Sequence, residues 1–233
     1  MSIPSENKGW IIEQKWKNTL FLHYKIDPGL IKNLVPFRLD LHEGEAVISI
    51  VPFFMEGIRF PYLPSIPIVS RLWELNIRTY VEVNGVKGVY FFTLETDSKL
   101  GEFVARHFFH LPYRFSHIKA EVNNKTYEFS HHRNEFSFKI KATILENIET
   151  SPFNIWATER YSLFTKKKEE TYQGIVLHAP WQLQRVKIDQ VEDQFTTMVT
   201  THAMKFEGAS FSKYLKVRFM PFIKNKSSIN FNK

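Results

Sequence analysis

Short segments of alternating apolar and polar residues, separated by turn signals, recur along most of the chain. The clearest pair is 74–83 and 87–95, which are joined by Asn84-Gly85. Asn-Gly tolerates the positive φ angles of a two-residue hairpin, so this dipeptide predicts two antiparallel strands. The expected strands span residues 19–26, 46–54, 74–83, 87–95, 114–122, 126–131, 135–145, 160–165, 171–178, 184–191 and 214–219. A sheet-dominated fold follows from this pattern.

Helix signals are confined to three short segments. Residues 27–34 begin with an Asp-Pro pair, which suits the N-cap and the first turn of a helix. Residues 99–110 carry apolar side chains at helical spacing, and 152–159 form the last segment. Many strands and few short helices predict an α+β fold, whose mainly antiparallel sheet closes fully or partly into a barrel or cone.

Composition narrows the class of protein. The 233-residue chain is interpreted as a single domain over 1–219 followed by a basic tail over 220–233. The net charge is +7, but residues 201–233 hold seven Lys or Arg and one acid, so the rest of the chain is nearly neutral. This distribution argues against nucleic-acid binding as the main function. The lack of cysteine, of a signal-like leader and of a long apolar run predicts a cytoplasmic protein without membrane association.

Motifs for nucleotides, nucleophilic serine and metals are missing. The sequence contains no GxGxxG, GxxxxGK[ST], GxSxG or HExxH pattern, and its histidines lack the spacing of metal ligands. We therefore expect neither a cofactor nor a metal site.

Polar residues occupy every second position of segment 74–82. They are Glu74, Asn76, Arg78, Tyr80 and Glu82, and the residues between them are Leu75, Ile77, Thr79 and Val81. The polar face of such a strand lies either in solvent or inside a barrel. The neighbouring run 89–94 is apolar on both faces, as in a strand buried on both sides, which favours the barrel. Asn76, Arg78 and Tyr80 are thus predicted to bind a ligand, since arginine can hold a carboxylate with two hydrogen bonds.

Two further clusters are candidates. Arg106 and Arg114 lie at the two ends of a helix–proline–strand segment and are predicted to bind a ligand, although cations near a helix C-terminus are favourable in any case. His178 lies on one arm of a predicted hairpin, and the spacing across its tip predicts that Glu159 or Arg160 of the other arm lies near it. A Glu159–His178 pair would be either an acid–base pair or a structural ion pair.

Several of these segments together resemble the YqjF-like family of bacterial proteins, a domain of unknown function grouped with the acetoacetate decarboxylase-like superfamily. The segments are Glu74–Val81, Gly88–Leu94, Ala105-Arg106, Leu111–Tyr113, Thr158–Tyr161 and His178–Trp181. The resemblance covers residues 16–191. It implies a β-rich barrel or cone that encloses a pocket.

The resemblance also reveals a departure from the decarboxylases, which use a Schiff-base lysine in a motif ending Phe/Tyr-Pro-Lys-Lys. Arg106 and Pro112 match that motif, but Tyr113 and Arg114 stand at the two lysine positions. An imine requires a primary amine, so decarboxylation by that route is not expected. Tyr113, together with His178 and Glu159, is instead predicted as a proton donor or acceptor.

The leading hypothesis is a pocket protein that binds an organic acid or carbonyl compound, with Arg78 and Arg106 holding the anion. Two alternatives remain at this point: a binding or sensing domain without turnover, and an interaction module that uses the basic C-terminal tail. The expected partners are the ligand and, in a homo-oligomer, further copies of the chain.

Overall fold

A computed structural model describes residues 9–62, 71–108, 111–148 and 150–225, with only the backbone described for 104–108 and 225. The strands are β1 (Ile12–Ile26), β2 (Arg38–Leu39), β3 (Ala46–Arg59), β4 (Arg71–Val83), β5 (Val86–Thr96), β6 (Tyr113–Phe115), β7 (His117–Val122), β8 (Thr126–Arg133), β9 (Phe136–Asn147), β10 (Ser162–Lys167), β11 (Glu170–His178), β12 (Gln184–Asp193), β13 (Lys205–Phe219) and β14 (Ile223–Asn225). The helices are α1 (Pro28–Ile31), α2 (Lys99–Phe108) and α3 (Pro152–Thr158), with 3-10 turns at Lys32–Leu34 and Thr196–Met198. The predicted α+β class is confirmed.

Part of the sheet closes into a ring. The strands follow the order β11-β10-β5-β4-β3-β1-β13, and β13 pairs again with β11 over residues 176–178. The β5–β10 pair is parallel, and the other pairs of the ring are antiparallel. Closure removes the exposed edges that an open sheet would present. The predicted partly closed barrel is therefore present.

The remaining strands cover the outside of this ring. Strands β12, β9, β8 and β7 continue from β13, and their apolar side chains pack on the outward faces of β1, β3 and β4. Leu75 and Ile77 of β4 belong to this outer core together with Phe129 of β8 and Phe138 of β9. Because β4 is covered on its outer face, its other face is free to line the inside of the ring.

Two bulges decide which side chains of β1 and β3 point inward. Asn18 has a φ of 52° and Gly57 a φ of 64°. An extra residue in a strand shifts the alternation by one, so Trp16 and Thr19 both face the inside across Asn18. Glycine suits the left-handed conformation at position 57, because an added Cβ would be strained there.

Local signals in the sequence correspond to observed elements. Asn84 and Gly85 have φ angles of 51° and 78°, as the predicted hairpin requires. The Asp27 side chain accepts a hydrogen bond from the Gly29 N–H at 2.7 Å and caps α1. Strand β14 lies in the segment predicted as a basic tail and pairs with β11. Within the described part of the chain, no helix combines the length and the apolar character needed to cross a bilayer.

Candidate functional site

A cavity of about 640 Å³ fills the inside of the ring, within the size range of small-molecule sites. Every strand of the ring contributes to its wall: Trp16 (β1), Phe53 (β3), Asn76 (β4), Phe91 (β5), Leu163 (β10), Val176 (β11) and Phe219 (β13). Leu100 and Gly101 of α2 complete one side. Most of this wall is apolar, so its few polar groups determine what it can recognise.

Strand β4 supplies a row of polar side chains to the cavity. Glu74, Asn76 and Arg78 are buried and line it, whereas Leu75 and Ile77 between them pack into the outer core. Residues two apart on a strand share a face, so the row follows directly from the alternation of the sequence. Glu74 and Arg78 are about 13 Å apart along the strand, since each residue advances it by roughly 3.3 Å.

The surroundings of Glu74 shift the pKa of its carboxyl toward neutral pH. Burial raises the pKa of its carboxyl to about 7, although hydrogen bonds from the Tyr113 hydroxyl and the Asn76 amide, together with the Arg78 charge, lower it. The Asn76 Nδ2 lies 3.1 Å from Glu74 Oε1, and the Tyr113 hydroxyl donates to Oε2. A carboxyl that titrates near neutral pH suits proton transfer.

Tyr113 is the donor in this pair. Burial and the neighbouring Glu74 carboxylate raise the pKa of Tyr113 well above its ordinary value, so its hydroxyl keeps its proton. Tyr113 occupies β6, which pairs in parallel with β5 at Leu94. The short strand thus brings the phenol across the end of β5 to the β4 carboxylate.

Arg78 is a buried cation with few protein partners. Its Nη2 donates to the Ala157 carbonyl oxygen at 3.4 Å, and its guanidinium lies over the rings of Phe21 and Tyr80, 5.4 and 5.9 Å from their centroids. Within the described residues its Nε has no hydrogen-bond partner, and no carboxylate forms a salt bridge with it. A buried cation with so few partners is costly unless its charge is balanced.

Arg160 lies against the same Tyr80 ring as Arg78 but is better compensated. Its Nη1 is 2.7 Å from Asp40 Oδ2, and its guanidinium lies 5.0 Å from the Tyr80 ring centroid. Both guanidinium groups therefore contact the same tyrosine ring. The Arg160 Nη2 is buried and has no hydrogen-bond partner in the described chain. Arg160 is also one of the residues that line the cavity.

Four buried polar atoms on the cavity wall lack partners among the described residues. They are Thr19 Oγ1, Asn76 Oδ1, Arg78 Nε and Arg160 Nη2. Leaving a buried polar group without a hydrogen bond costs about 1–3 kcal/mol, and native proteins keep such groups few. Their concentration on one cavity indicates that a ligand or ordered water completes them.

A buried chain of hydrogen bonds holds Tyr80, the ring that both Arg78 and Arg160 contact. His23 Nδ1 and Ser49 Oγ are 2.7 Å apart, and Ser49 Oγ and the Tyr80 hydroxyl are also 2.7 Å apart. Burial and the Arg78 charge lower the pKa of His23 to about 3, so the imidazole is neutral. The chain fixes the Tyr80 ring against which both guanidinium groups rest.

The structure places four of the predicted site residues on the cavity wall: Asn76, Arg78, Tyr113 and His178. The His178 Nδ1–H donates to the Ala179 carbonyl at 2.8 Å, and the ring stacks on Tyr161. Burial lowers the pKa of His178, although the Ala179 and Arg160 carbonyls and the Glu159 charge oppose this change. His178 therefore presents a neutral ring to the cavity.

The other predicted residues are placed elsewhere. Tyr80 is buried behind the wall with its hydroxyl bonded to Ser49, and Arg114 is exposed because alternation turns Tyr113 inward. Glu159 is half-buried and has no hydrogen bond to His178; its carboxylate accepts from the Tyr161 hydroxyl and the Trp181 backbone N–H. The direct acid–base pair with His178 is thus absent.

Arg106 lies on the described backbone of α2, but its side chain falls outside the described residues. Glu74, Thr19 and Arg160 are cavity residues that the sequence-based selection omitted. The sequence pattern did indicate Glu74, because this residue lies on the same face of the strand as Asn76 and Arg78. For Arg160 the sequence indicated a place near His178, which also lines the cavity. For Thr19 it gave no specific indication, since the direction of this side chain depends on the bulge at residue 18.

The described wall offers neither a lysine for an imine nor a set of metal ligands. No lysine is among the described residues that line the cavity. Across the same described ranges, no group of three His, Asp or Glu is arranged to hold a metal ion. The chemistry available on this wall is hydrogen bonding, charge pairing and proton transfer.

Comparison with known proteins agrees with this architecture. The chain is 35% identical over 203 residues to the uncharacterized protein YqjF of Bacillus subtilis strain 168, which covers 84% of this chain and 83% of that one. An acetoacetate decarboxylase-like enzyme from Sphingomonas wittichii RW1 superimposes with a TM-score of 0.66 at 10% identity, covering 97% and 99% of the two chains.

A second solved structure, the enduracididine biosynthesis enzyme MppR complexed with pyruvate, superimposes with a TM-score of 0.62 at 9% identity over 95% of this chain and 92% of that one. Identities this low establish the shared fold alone. The profile of DUF2071, described as an uncharacterized conserved protein, matches residues 13–212. This chain therefore belongs to the DUF2071 family and has an acetoacetate decarboxylase-like fold.

Proposed function

We propose that this chain binds an organic anion in the barrel cavity, with Arg78 and Arg160 as the anion site. The observation that carries the proposal is the set of unpartnered buried polar atoms around these two guanidinium groups. A carboxylate accepts hydrogen bonds from two arginines in a geometry that neutral ligands do not match. A bound anion would supply the negative charge that Arg78 lacks within the described chain.

Charge balance supports the same ligand. Arg160 and Lys87 both pair with Asp40, whose two carboxylate oxygens lie 2.7 and 3.0 Å from them. Arg78 lacks such a partner within the described chain, and a buried charge without a counter-charge is costly. A ligand carrying one negative charge would remove that cost, which is the physical basis of its affinity.

The Glu74–Tyr113 pair, together with Asn76, supports a second recognition point for a carbonyl or hydroxyl group of the ligand. The free Asn76 Oδ1 can accept a hydrogen bond, and the Tyr113 hydroxyl oxygen, whose proton is donated to Glu74, can accept another. Glu74, with its pKa raised to about 7, is the group that would exchange a proton with the ligand. The complex of MppR with pyruvate, an organic acid with a carbonyl group, adds support at the level of fold alone.

Ligand-induced stabilisation tests the proposal. Organic acids, including keto acids, would be screened against the intact protein by thermal denaturation, with matched neutral amides as comparison ligands. A ligand at a hundredfold its Kd should raise the Tm by about 5–10 °C, because it binds only the folded state. If no organic acid raises the Tm, the proposal fails.

Two variants localise the binding. Arg78→Ala should abolish the shift, and Arg78→Lys should keep part of it because it retains the charge. Arg114→Ala is the matched control, since Arg114 is exposed on β6 and lies away from the cavity wall. An equal shift in wild type and Arg78→Ala would contradict the assignment. Turnover of the acids that bind, compared between wild type and Glu74→Gln, separates an enzyme from a binding protein.

A further inference from the structure

The cavity is apolar at its mouth and cationic at its opposite end. Phe60 and Leu100 line the cavity and are 42% and 47% exposed, so the cavity meets solvent beside them. Arg78 and Arg160 line it as well but are only 9% and 8% exposed. A ligand would therefore enter past apolar side chains and meet charge at the end of its path.

Strand β4 gives this path its direction and length. Leu72 lies against α2 near the mouth, where a Cβ on Gly101 would be 3.0 Å from Leu72 Cδ2. Arg78 follows six residues later on the same face, so the two ends are about 20 Å apart at roughly 3.3 Å per residue. Glu74 lies on the mouth side of Arg78.

The space along this path greatly exceeds the needs of a small keto acid. The cavity measures about 640 Å³. If each non-hydrogen atom takes roughly 30 Å³, the share of one molecule in liquid water, about twenty such atoms fit. The wall combines aliphatic side chains with the aromatic rings of Trp16, Phe53, Phe91, Trp181, Phe219 and Phe222. Such a wall binds hydrocarbon rather than water.

We infer that the ligand is an amphiphilic anion, whose carboxylate lies at Arg78 and Arg160 and whose apolar chain or ring system extends past Leu72 to the mouth. This inference rests on the anion site proposed above and adds the class of ligand. A polar group along the chain would pass Glu74 and Tyr113, several bonds from the carboxylate. The proton-transfer pair therefore acts on the body of the ligand and not on atoms next to its head.

A series of straight-chain carboxylates tests the inference. Butanoate, octanoate, dodecanoate and hexadecanoate, each below its micelle concentration, would be titrated into the intact protein by calorimetry. Affinity should rise about fourfold per methylene, because each buried methylene contributes a constant increment, until the chain reaches the mouth. The primary alcohols of the same lengths should bind at least tenfold more weakly, because they lack the charge that Arg78 requires.

A variant at the mouth makes the chain-length effect specific. Leu100→Asn should weaken the binding of dodecanoate and hexadecanoate severalfold and leave butanoate unchanged. Leu34→Asn is the matched control, because Leu34 is 48% exposed and is not part of the cavity wall. Both positions are exposed, so both variants should fold.

The outcomes separate this inference from the proposed function. If the acids bind in an Arg78-dependent way with the same affinity at every chain length, the inference of an amphiphilic ligand is refuted, and the proposed anion site is retained. If long-chain acids and alcohols bind equally, the placement of the head at the arginines is overturned. If no acid of any length binds, the anion site itself is refuted.

Discussion

The Tyr113 hydroxyl donates a hydrogen bond to the Glu74 carboxylate across the end of strand β5. In the sequence resemblance to the acetoacetate decarboxylase motif, Tyr113 stands where that motif has its Schiff-base lysine. A phenol that keeps its proton cannot form an imine, but it can hold a neighbouring carboxylate and share a ligand with it. The pair can therefore offer a ligand hydrogen bonds and a titratable proton, but no amine.

Glu74→Gln should change how stability depends on pH. The pKa of Glu74 in the folded protein is about 7, above the ordinary value of 4.5, so the folded state binds this proton more tightly than the unfolded state does. The contribution of protonated Glu74 to the free energy of unfolding is therefore fully present below pH 4.5 and is lost as pH rises to 7. Glutamine stays neutral, so the variant should be about 3 kcal/mol more stable than wild type at pH 8 and nearly equal at pH 4.5. Denaturant unfolding at both pH values measures this.

The difference in stability between wild type and Glu74→Gln reports on Glu74 alone, because His23 and the other groups with shifted pKa values are present in both proteins. A stability difference that does not vary from pH 4.5 to 8 would mean that Glu74 does not titrate in this range.

Tyr113→Phe should move the titration of Glu74 to higher pH. The Tyr113 hydrogen bond lowers the pKa of Glu74, so its loss leaves burial less opposed and the carboxyl is protonated over a wider range. Infrared difference spectra of the carboxyl band against pH would measure the midpoint. Tyr214→Phe, at an exposed position on β13, is the control. An unchanged or lower midpoint in Tyr113→Phe would contradict the contact.

The polar row on β4 could be predicted from the sequence because its cause is local. Alternation places Asn76 and Arg78 on one face, and the Asn84-Gly85 turn sets the register with β5. The placement of Arg160 and Arg78 on the same cavity wall could not be predicted from the sequence. It depends on the parallel pairing of β10 with β5 and on contacts with α3.

The bulge at Asn18 explains a second failure of the sequence-based prediction. The predicted strand began at Thr19, whereas β1 begins at Ile12 and continues through the bulge. An inserted residue interrupts the alternation, so the two halves of one strand resemble unrelated segments. Thr19 was thereby left without any indication of which way it faces.

Ser49→Ala should weaken ligand binding without touching the cavity wall. The substitution removes the hydroxyl that is hydrogen-bonded with both His23 and Tyr80, and should cost about 1–3 kcal/mol of stability because both partners are buried. Loss of a fixed Tyr80 ring should also lower the affinity for acids, measured by calorimetry. Ser130→Ala, where the hydroxyl has a weak 3.4 Å bond near the surface, is the control. Unchanged stability and affinity would argue against the chain as a support for the arginines.

Borohydride reduction in the presence of a β-keto acid should give no covalent adduct. The described cavity wall lacks a lysine, and an imine requires a primary amine. Intact-mass spectrometry would detect a reduced imine, and a decarboxylase with its lysine serves as the positive control. An adduct on a lysine of this chain would overturn the assignment of the pocket to non-imine chemistry.

Glu13→Gln should reduce stability at neutral pH and have little effect in strong acid. Burial raises the pKa of Glu13, but hydrogen bonds from Arg218, Lys216 and Arg59 outweigh it and lower the pKa to about 2. The contribution of ionised Glu13 to the free energy of unfolding is therefore present above pH 4.5 and is lost as pH falls to 2. The free energy of unfolding of the variant should be about 3 kcal/mol lower than that of wild type at pH 7.

The residues around Glu13 tie the ends of three ring strands together. Arg59 ends β3 and Arg218 lies on β13, and each donates to the β1 carboxylate at 2.7 Å. Removing this carboxylate leaves cations facing one another beside the cavity mouth. Glu192→Gln, which breaks an exposed ion pair with Lys139, should cost less than about 1 kcal/mol at any pH. Equal losses in the two variants at pH 7 would show that the Glu13 cluster does not hold the ring closed.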